Sequence, residues 1–270
     1  KAHLEFIAGD NMQGRDFGTK IPGLEITADY LRSQCLKMGL KPGGDNYSQP
    51  VKMVSVQTEK ENTFITVKNS DGEELYKSTD IYTFPGSVNN DTIKAKIVFA
   101  GYGWVNEDKS YNDYEGIELK DKAVMLMTRN RKIANDTTNK DDNTNLEMAK
   151  FARIMMSGAK AIIFIPDPLN RDNGWFEMVK DYASQGTYFL EGGKSMEIPG
   201  NIILAGSETA DAILKESGKS LKEIQLEIND SGKPNSFELE NVTVEIQVTK
   251  KAETVTGENI IAVIEGSDPV

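Results

Sequence analysis

The sequence predicts a mixed α/β fold, α+β toward its ends, from three observations. Ala123-Val124-Met125-Leu126-Met127 and Ala161-Ile162-Ile163-Phe164-Ile165 are short apolar runs, and a helical stretch at 146–157 lies between them. A strand–helix–strand unit of this kind favours parallel pairing of its two strands. Val242, Val244, Ile246 and Val248 alternate with polar residues, the period of a half-buried strand. Leu24, Ala28, Leu31 and Cys35 recur at steps of four and three, the period of a helix face.

The elements follow in chain order. Residues 2–8 read as a short helix ending at Gly9, and Gly14-Arg15-Asp16-Phe17-Gly18-Thr19 as a turn-rich link. A second helix over 22–38 has Pro22 where a first turn tolerates it and Gly39 where a helix stops. Residues 47–128 read mostly as strands. Phe64-Ile65-Thr66-Val67 and Leu75-Tyr76 flank the hairpin signal Asn69-Ser70-Asp71-Gly72, and a strand at 96–100 ends at Gly101-Tyr102-Gly103. Residues 129–145 hold almost no apolar side chain and are expected to form a solvated loop. The helix at 146–157 closes at Gly158. Residues 167–198 read as irregular, with Trp175, Tyr182, Tyr188 and Phe189. A strand at 201–204, a helix at 208–216 and a strand at 221–228 follow. The strands at 242–248 and 259–264 are expected to pair as a hairpin.

Composition bounds the function. The chain has 270 residues and carries 31 basic against 42 acidic side chains, a net charge of −11. That balance argues against nucleic acid or anionic lipid as a main partner, since both select a basic face. No apolar run approaches the roughly 20 residues of a membrane span. The chain opens at Lys1 with no visible signal segment, so an upstream segment is expected to have been removed. There is one histidine and one cysteine. A catalytic triad could use only His3, and no disulfide can form within the chain.

Several motifs fail on spacing. Gly-Lys-Ser occurs at 193–195 and 218–220, but a phosphate loop needs glycine five residues before the second glycine, where Tyr188 and Ile213 stand. Asp141-Asp142-Asn143-Thr144-Asn145 opens like a calcium loop, yet Leu146 and Ala152 occupy the positions that need Gly and Glu. Asn90, Asn135 and Asn241 begin formal glycosylation tripeptides, which arise readily by chance in an Asn- and Thr-rich chain. His3 reads as a packed or capping histidine and Cys35 as a small buried hydrophobe. Tyr102, Trp104, Tyr111 and Tyr114 form the densest aromatic cluster. It is either core packing or a ligand-facing wall. No catalytic or metal-ligating residue can be named.

A family resemblance rests on motifs spread along nearly the whole chain. His3-Leu4-Glu5-Phe6-Ile7-Ala8, Gly14-Arg15, Gly18-Thr19, Ala28-Asp29-Tyr30-Leu31, Gly39-Leu40-Lys41-Pro42 and Tyr47-Ser48-Gln49-Pro50-Val51 resemble the start of secreted di-zinc aminopeptidases. That group includes glutamate carboxypeptidase and the catalytically dead transferrin receptor. Ile97-Val98-Phe99-Ala100-Gly101-Tyr102-Gly103, Tyr111-Asn112-Asp113-Tyr114-Glu115-Gly116-Ile117 and Lys120-Asp121-Lys122-Ala123-Val124 resemble the group's inserted protease-associated domain, with Asp121 where the family usually has glycine. Residues 149–165 and Ile198-Pro199-Gly200-Asn201-Ile202 are similar to later parts of that insert. Thr256-Gly257-Glu258-Asn259-Ile260-Ile261-Ala262-Val263-Ile264-Glu265-Gly266 resembles the strand that returns to the peptidase core.

The resemblance implies a wrap of N-terminal helices over 1–50, a protease-associated domain over 51–235, and a hairpin at 236–270 from an incomplete zinc-peptidase domain. It implies a secreted or periplasmic parent that removes N-terminal residues from peptides with two zinc ions. This chain holds no cofactor of its own. The inserted domain would act as a lid, with Tyr102, Trp104, Tyr111 and Tyr114 as candidate substrate-access residues, and the incomplete core leaves self-association open. The alternatives are a non-catalytic peptide- or protein-binding module and a self-contained interaction protein.

Overall fold

In chain order the elements are α1 (Ala2–Ile7), α2 (Gly23–Lys37), β1 (Lys41–Pro42), β2 (Ser48–Thr58), β3 (Phe64–Asn69), β4 (Glu74–Ser78), β5 (Ile81–Thr83), β6 (Thr92–Phe99), β7 (Ala123–Met127) and α3 (Asn143–Met156). They continue with β8 (Ala161–Ile165), α4 (Trp175–Ser184), β9 (Thr187–Leu190), β10 (Ile202–Ala205), α5 (Ser207–Leu214), α6 (Leu221–Ser231), β11 (Phe237–Gln247), β12 (Lys250–Ile260) and β13 (Ala262–Val263). The computed structural model describes residues 1–15, 22–83, 92–106, 108–129, 143–169, 174–184, 186–193 and 201–266. The fold is α/β, with mixed strands and helices. The chain forms two units: residues 1–54, 188–194 and 254–270 in one, residues 55–187 and 195–253 in the other.

The larger unit is built on an eight-stranded sheet in the order β4-β3-β11-β6-β7-β8-β10-β5. β6, β7, β8 and β10 run parallel, with Ala123 of β7 opposite Ala161 of β8. β7 and β8 are buried at every position, as expected for parallel strands covered on both faces. Period-two alternation sends Val98, Val124, Ile162 and Leu204 to one face, where Ile154 of α3 and Phe176 and Val179 of α4 cover them. Ile97, Met125, Ile163 and Ile203 go to the other face, under Ile213 of α5 and Ile224 and Ile228 of α6.

Residues 221–228, expected as a strand, form α6. Ser220 caps it: its side chain accepts from the Glu223 N–H, and the Glu223 carboxylate accepts from the Ser220 N–H, a reciprocal capping box. The buried set Leu221, Ile224, Gln225 and Ile228 has helical spacing. Replacing Ser220 with Ala is expected to lower unfolding free energy by about 1 kcal/mol in urea titrations. A shift near zero would mean that the cap adds nothing beyond the packing of α6.

Residues 167–198 are not irregular throughout, for they include α4 and β9. Phe176, Val179 and Ala183 are the inward stripe that makes α4 amphipathic. The expected hairpin of 242–248 with 259–264 does not form. β11 pairs with β3 on one side and β6 on the other, and β12 lies in a separate sheet, in the order β12-β2-β9. Two apolar neighbours across the sheet satisfy β11 more fully than a single strand near in sequence could. Of the loop expected at 129–145, Arg129 and the start of α3 are described, while 130–142 lie outside the described residues. The hairpin at Asn69–Gly72 forms, with Gly72 at φ 83°. Asp121, at the family's glycine position, has φ 61°, a left-handed conformation that glycine adopts freely and Asp tolerates.

In the smaller unit α2 ends in a Schellman motif. Gly39 has φ 70°, its N–H reaches the Leu36 carbonyl, and the Leu40 N–H reaches that of Cys35. β1 pairs antiparallel with β13, Lys41 opposite Val263, which joins the two ends of the chain. Arg32 of α2 and Ser48 both donate to the Glu258 carboxylate. The α2 stripe is only partly covered: Ala28 is buried, Leu24 and Cys35 are half-buried, and Leu31 is exposed. Cys35 is therefore not the fully buried residue expected. His3 packs near Tyr30, its Nδ1 2.6 Å from the tyrosine hydroxyl.

Candidate functional site

In open α/β sheets the crevice beyond the carboxyl ends of the parallel strands is the usual place for a site. Here that region holds Gly101-Tyr102-Gly103-Trp104 after β6, Thr128-Arg129 after β7 and Pro166-Asp167 after β8. The four aromatic residues singled out from the sequence come together there. Their centre is Asp113, which stands in the sequence only as part of the motif Tyr111-Asn112-Asp113-Tyr114.

The turn after β6 requires both of its glycines. Gly101 and Gly103 have φ of 50° and 65°. A Cβ on Gly101 would lie 2.5 Å from Asp113 Oδ1, and one on Gly103 would lie 2.6 Å from Leu126 Cδ1 and 2.8 Å from the Tyr114 hydroxyl. This tight path aims the N–H groups of Tyr102 and Trp104 at Asp113 Oδ2, at 3.1 and 2.9 Å. The Tyr111 hydroxyl donates to Oδ1 at 2.9 Å. The Asp113 N–H returns a bond to the Trp104 carbonyl at 2.9 Å, and the Tyr114 hydroxyl donates to the Gly103 carbonyl at 2.8 Å. Tyr102, Tyr111 and Asp113 are 0–2% exposed, while Trp104 and Tyr114 are half-buried. Burial pushes the Asp113 carboxyl up to about 6, against the pull of its donors, and pushes the Tyr114 hydroxyl up as well.

Two further buried polar groups adjoin the turn. The Tyr102 hydroxyl accepts from Gln225 Nε2 at 2.9 Å, and Gln225 also donates to Asp167 and accepts from the Leu169 N–H. This ties α6 to the segment after β8. On the opposite side Lys150 of α3 is fully enclosed. Its Nζ donates to the Met127 carbonyl at 3.3 Å, to the Arg129 carbonyl, and to Glu147 Oε1 at 3.2 Å. The Arg129 N–H donates to the same Glu147 oxygen at 2.5 Å. Burial lowers the Lys150 ammonium and raises the Glu147 carboxyl from their ordinary values.

Chemically, this arrangement holds backbone in place. Asp113 and Lys150 are at most 2% exposed, so in this conformation neither meets a solvent-borne substrate. What they do is satisfy the carbonyl and N–H groups of chain leaving β6 and β7, which would otherwise be buried without partners.

A di-zinc centre finds no ligand set among the described residues. Zinc sites draw on several His, Cys, Asp or Glu ligands at once, and among the described residues no three of these come together. His3 is exposed and bonded to Tyr30, and Cys35 lies on α2. In the smaller unit, Leu24, Ala28 and Leu31 of α2 line an open groove of about 540 Å³ with Ser48, Pro50 and residues 256–260. No helix of the described residues is long and apolar enough to cross a membrane.

No family model matches the sequence, and no curated protein does. Among solved structures, the chain is similar to an aminopeptidase from Aneurinibacillus sp. strain AM-1, at 16% identity and a TM-score of 0.44. The match takes in 94% of this chain and 46% of that one, so the chain spans less than half of that enzyme's length.

Proposed function

We propose that this chain supplies the N-terminal wrap and the inserted protease-associated domain of a di-zinc aminopeptidase. The observation that carries the reading is the interrupted smaller unit: residues 1–54 and 254–270 belong together, while 55–187 and 195–253 leave and return as a unit of their own. An inserted domain has that chain path, and the motifs quoted above fall in the same order along it. The zinc ligands and the general base of the parent enzyme would come from sequence outside residues 1–270. The inserted unit would border the cleft, limiting access and excluding water. Peptides with a free N-terminus are the proposed substrates, outside the cytoplasm or in the cell envelope.

The test uses the product of the complete reading frame beside residues 1–270. The longer protein is expected to retain about two zinc ions per chain and to release amino acids from aminoacyl anilides, with loss on chelation. Residues 1–270 should release none. A zinc-loaded longer protein that cleaves no N-terminal residue, yet retains peptides, would replace this reading with that of a binding module. Zinc-independent hydrolysis by residues 1–270 would overturn it outright.

A further inference from the structure

The sheet of the larger unit carries a row of lysines, apart from the turn that holds Asp113. Lys68 of β3 lies opposite Thr243 of β11, which lies opposite Lys96 of β6. Ile97, Ala123 and Ala161 are abreast on three parallel strands, so the residues just before them, Lys96, Lys122 and Lys160, are abreast too. Each sits two positions before a residue of the face under α3 and α4 (Val98, Val124, Ile162), so all three side chains leave from that face. Lys94 adds a second rank. Neighbouring strands are roughly 4.8 Å apart, so the row is a ladder of cations crossing five strands.

The anion that this surface pairs with is a carboxylate. Glu245 of β11 bridges Lys68 at 2.7 Å and Lys94 at 3.5 Å, and Glu238 takes Lys122. Both carboxyls are held below their usual range by these lysines. Lys96 and Lys160 are exposed and have no carboxylate within ion-pair distance among the described residues. Lys94 and Lys160 line one shallow hollow, and Lys68, Lys94 and Lys96 line the next. The chain as a whole carries −11, but charges beyond about 8 Å are screened at physiological ionic strength. A local excess of lysine can then act at contact range.

We infer that this lysine row is a docking surface for an acidic peptide segment lying across the strands, with its carboxylates on Lys94, Lys96 and Lys160. Alternate side chains of an extended peptide recur every ~7 Å, a spacing that long lysine stems can meet. Lysines, as point charges on adaptable stems, suit carboxylates presented singly, and carboxylates are the anions this surface already holds, in Glu245 and Glu238.

The experiment is fluorescence anisotropy of a labelled oligoglutamate peptide with the full-length protein, at low and at physiological salt. Binding is expected, weakening about tenfold or more with salt. K94E/K96E should weaken it a further tenfold or more. Lys94 also pairs with Glu245, so K160E is a second variant that breaks no ion pair among the described residues, and it too should weaken binding. K222E/K233E, with the same change in net charge on exposed sites of α6 and its exit, should leave binding unchanged. Loss of binding by both double variants alike would reduce the effect to overall charge and overturn the inference. So would peptide binding indifferent to K94E/K96E and K160E. Tighter, row-dependent binding of polyphosphate or of phosphatidylglycerol vesicles than of the peptide would assign the surface to a different partner.

Discussion

Replacing Asp113 with Ala should destabilise the larger unit by roughly 3–5 kcal/mol, since each buried donor left without a partner costs about 1–3 kcal/mol. The Tyr102 and Trp104 N–H groups and the Tyr111 hydroxyl would all lose their acceptor at once. Water cannot easily replace it, because Tyr102 and Tyr111 close the site. The Asn variant keeps the shape but brings an NH₂ group among donors, so it should cost less than Ala and still more than a surface change. The pH dependence has a definite sign. Burial raises the folded-state pKa of Asp113 to about 6, above the ~3.9 of an unfolded chain. Between these values the folded state binds more protons. The contribution of Asp113 to stability is therefore fully present below the unfolded value and is lost as pH rises through about 6. Asn cannot titrate, so the gap between wild type and D113N should narrow from acid to neutral pH, by as much as about 2–3 kcal/mol. Urea unfolding of both proteins across that range is the measurement. A gap that stayed constant or widened toward neutral pH would mean that the carboxylate's donors outweigh its burial.

Much of the larger unit's frame is legible in the residues. β7 and β8 are continuous apolar runs of strand length with a helix between them, and burial on both faces is what such runs demand. Errors came where two periodicities competed or where a partner was distant. In α6, Ile224, Leu226 and Ile228 alternate like a strand, while the true inward stripe passes through Gln225, a polar residue buried by its bonds to Tyr102 and Asp167. Leu226 is 40% exposed, the outlier that the alternation hid. The capping pair Ser220 and Glu223 was the available signal. Local pattern pairs β11 with the next strand along the chain, but its partners lie more than a hundred residues away, and pairing at that distance leaves no mark in local pattern. The aromatic cluster was legible as a group, and its hub was not. A lone Asp between Asn112 and Tyr114 is unremarkable until two left-handed glycines bring the turn after β6 onto it. The lysine row is invisible in the chain for the same reason, since it exists only through the registers of five strands.

The buried pair on α3 should respond more strongly to half-removal than to full removal. Lys150→Met keeps most of the side chain's volume but leaves Glu147 buried with only the weaker pull of Arg129 as countercharge, and leaves the Met127 and Arg129 carbonyls without that donor. Breaking a buried pair costs about 3–5 kcal/mol where the remaining charge is uncompensated, and the pull of Arg129 on Glu147 puts K150M at the lower end of that range. Removing both charges with E147L/K150M strands neither member of the pair, though the buried Arg129 guanidinium loses the nearby Glu147 charge. The cost of the double variant should therefore lie well below the sum of the single costs, with about half or more of the K150M loss recovered. The full recovery is withheld by the Arg129 N–H, which loses the Glu147 oxygen it now reaches at 2.5 Å. Burial already raises the Glu147 carboxyl while Lys150 opposes the rise, so in K150M the carboxyl should take up its proton at higher pH than in wild type. The K150M penalty should accordingly shrink on mild acidification, as Glu147 becomes neutral, and the double variant should show no such relief. Unfolding free energies of the four proteins at neutral and mildly acidic pH complete the cycle. Strictly additive single costs, or a K150M penalty that stays the same on acidification, would show that Lys150 acts through packing alone.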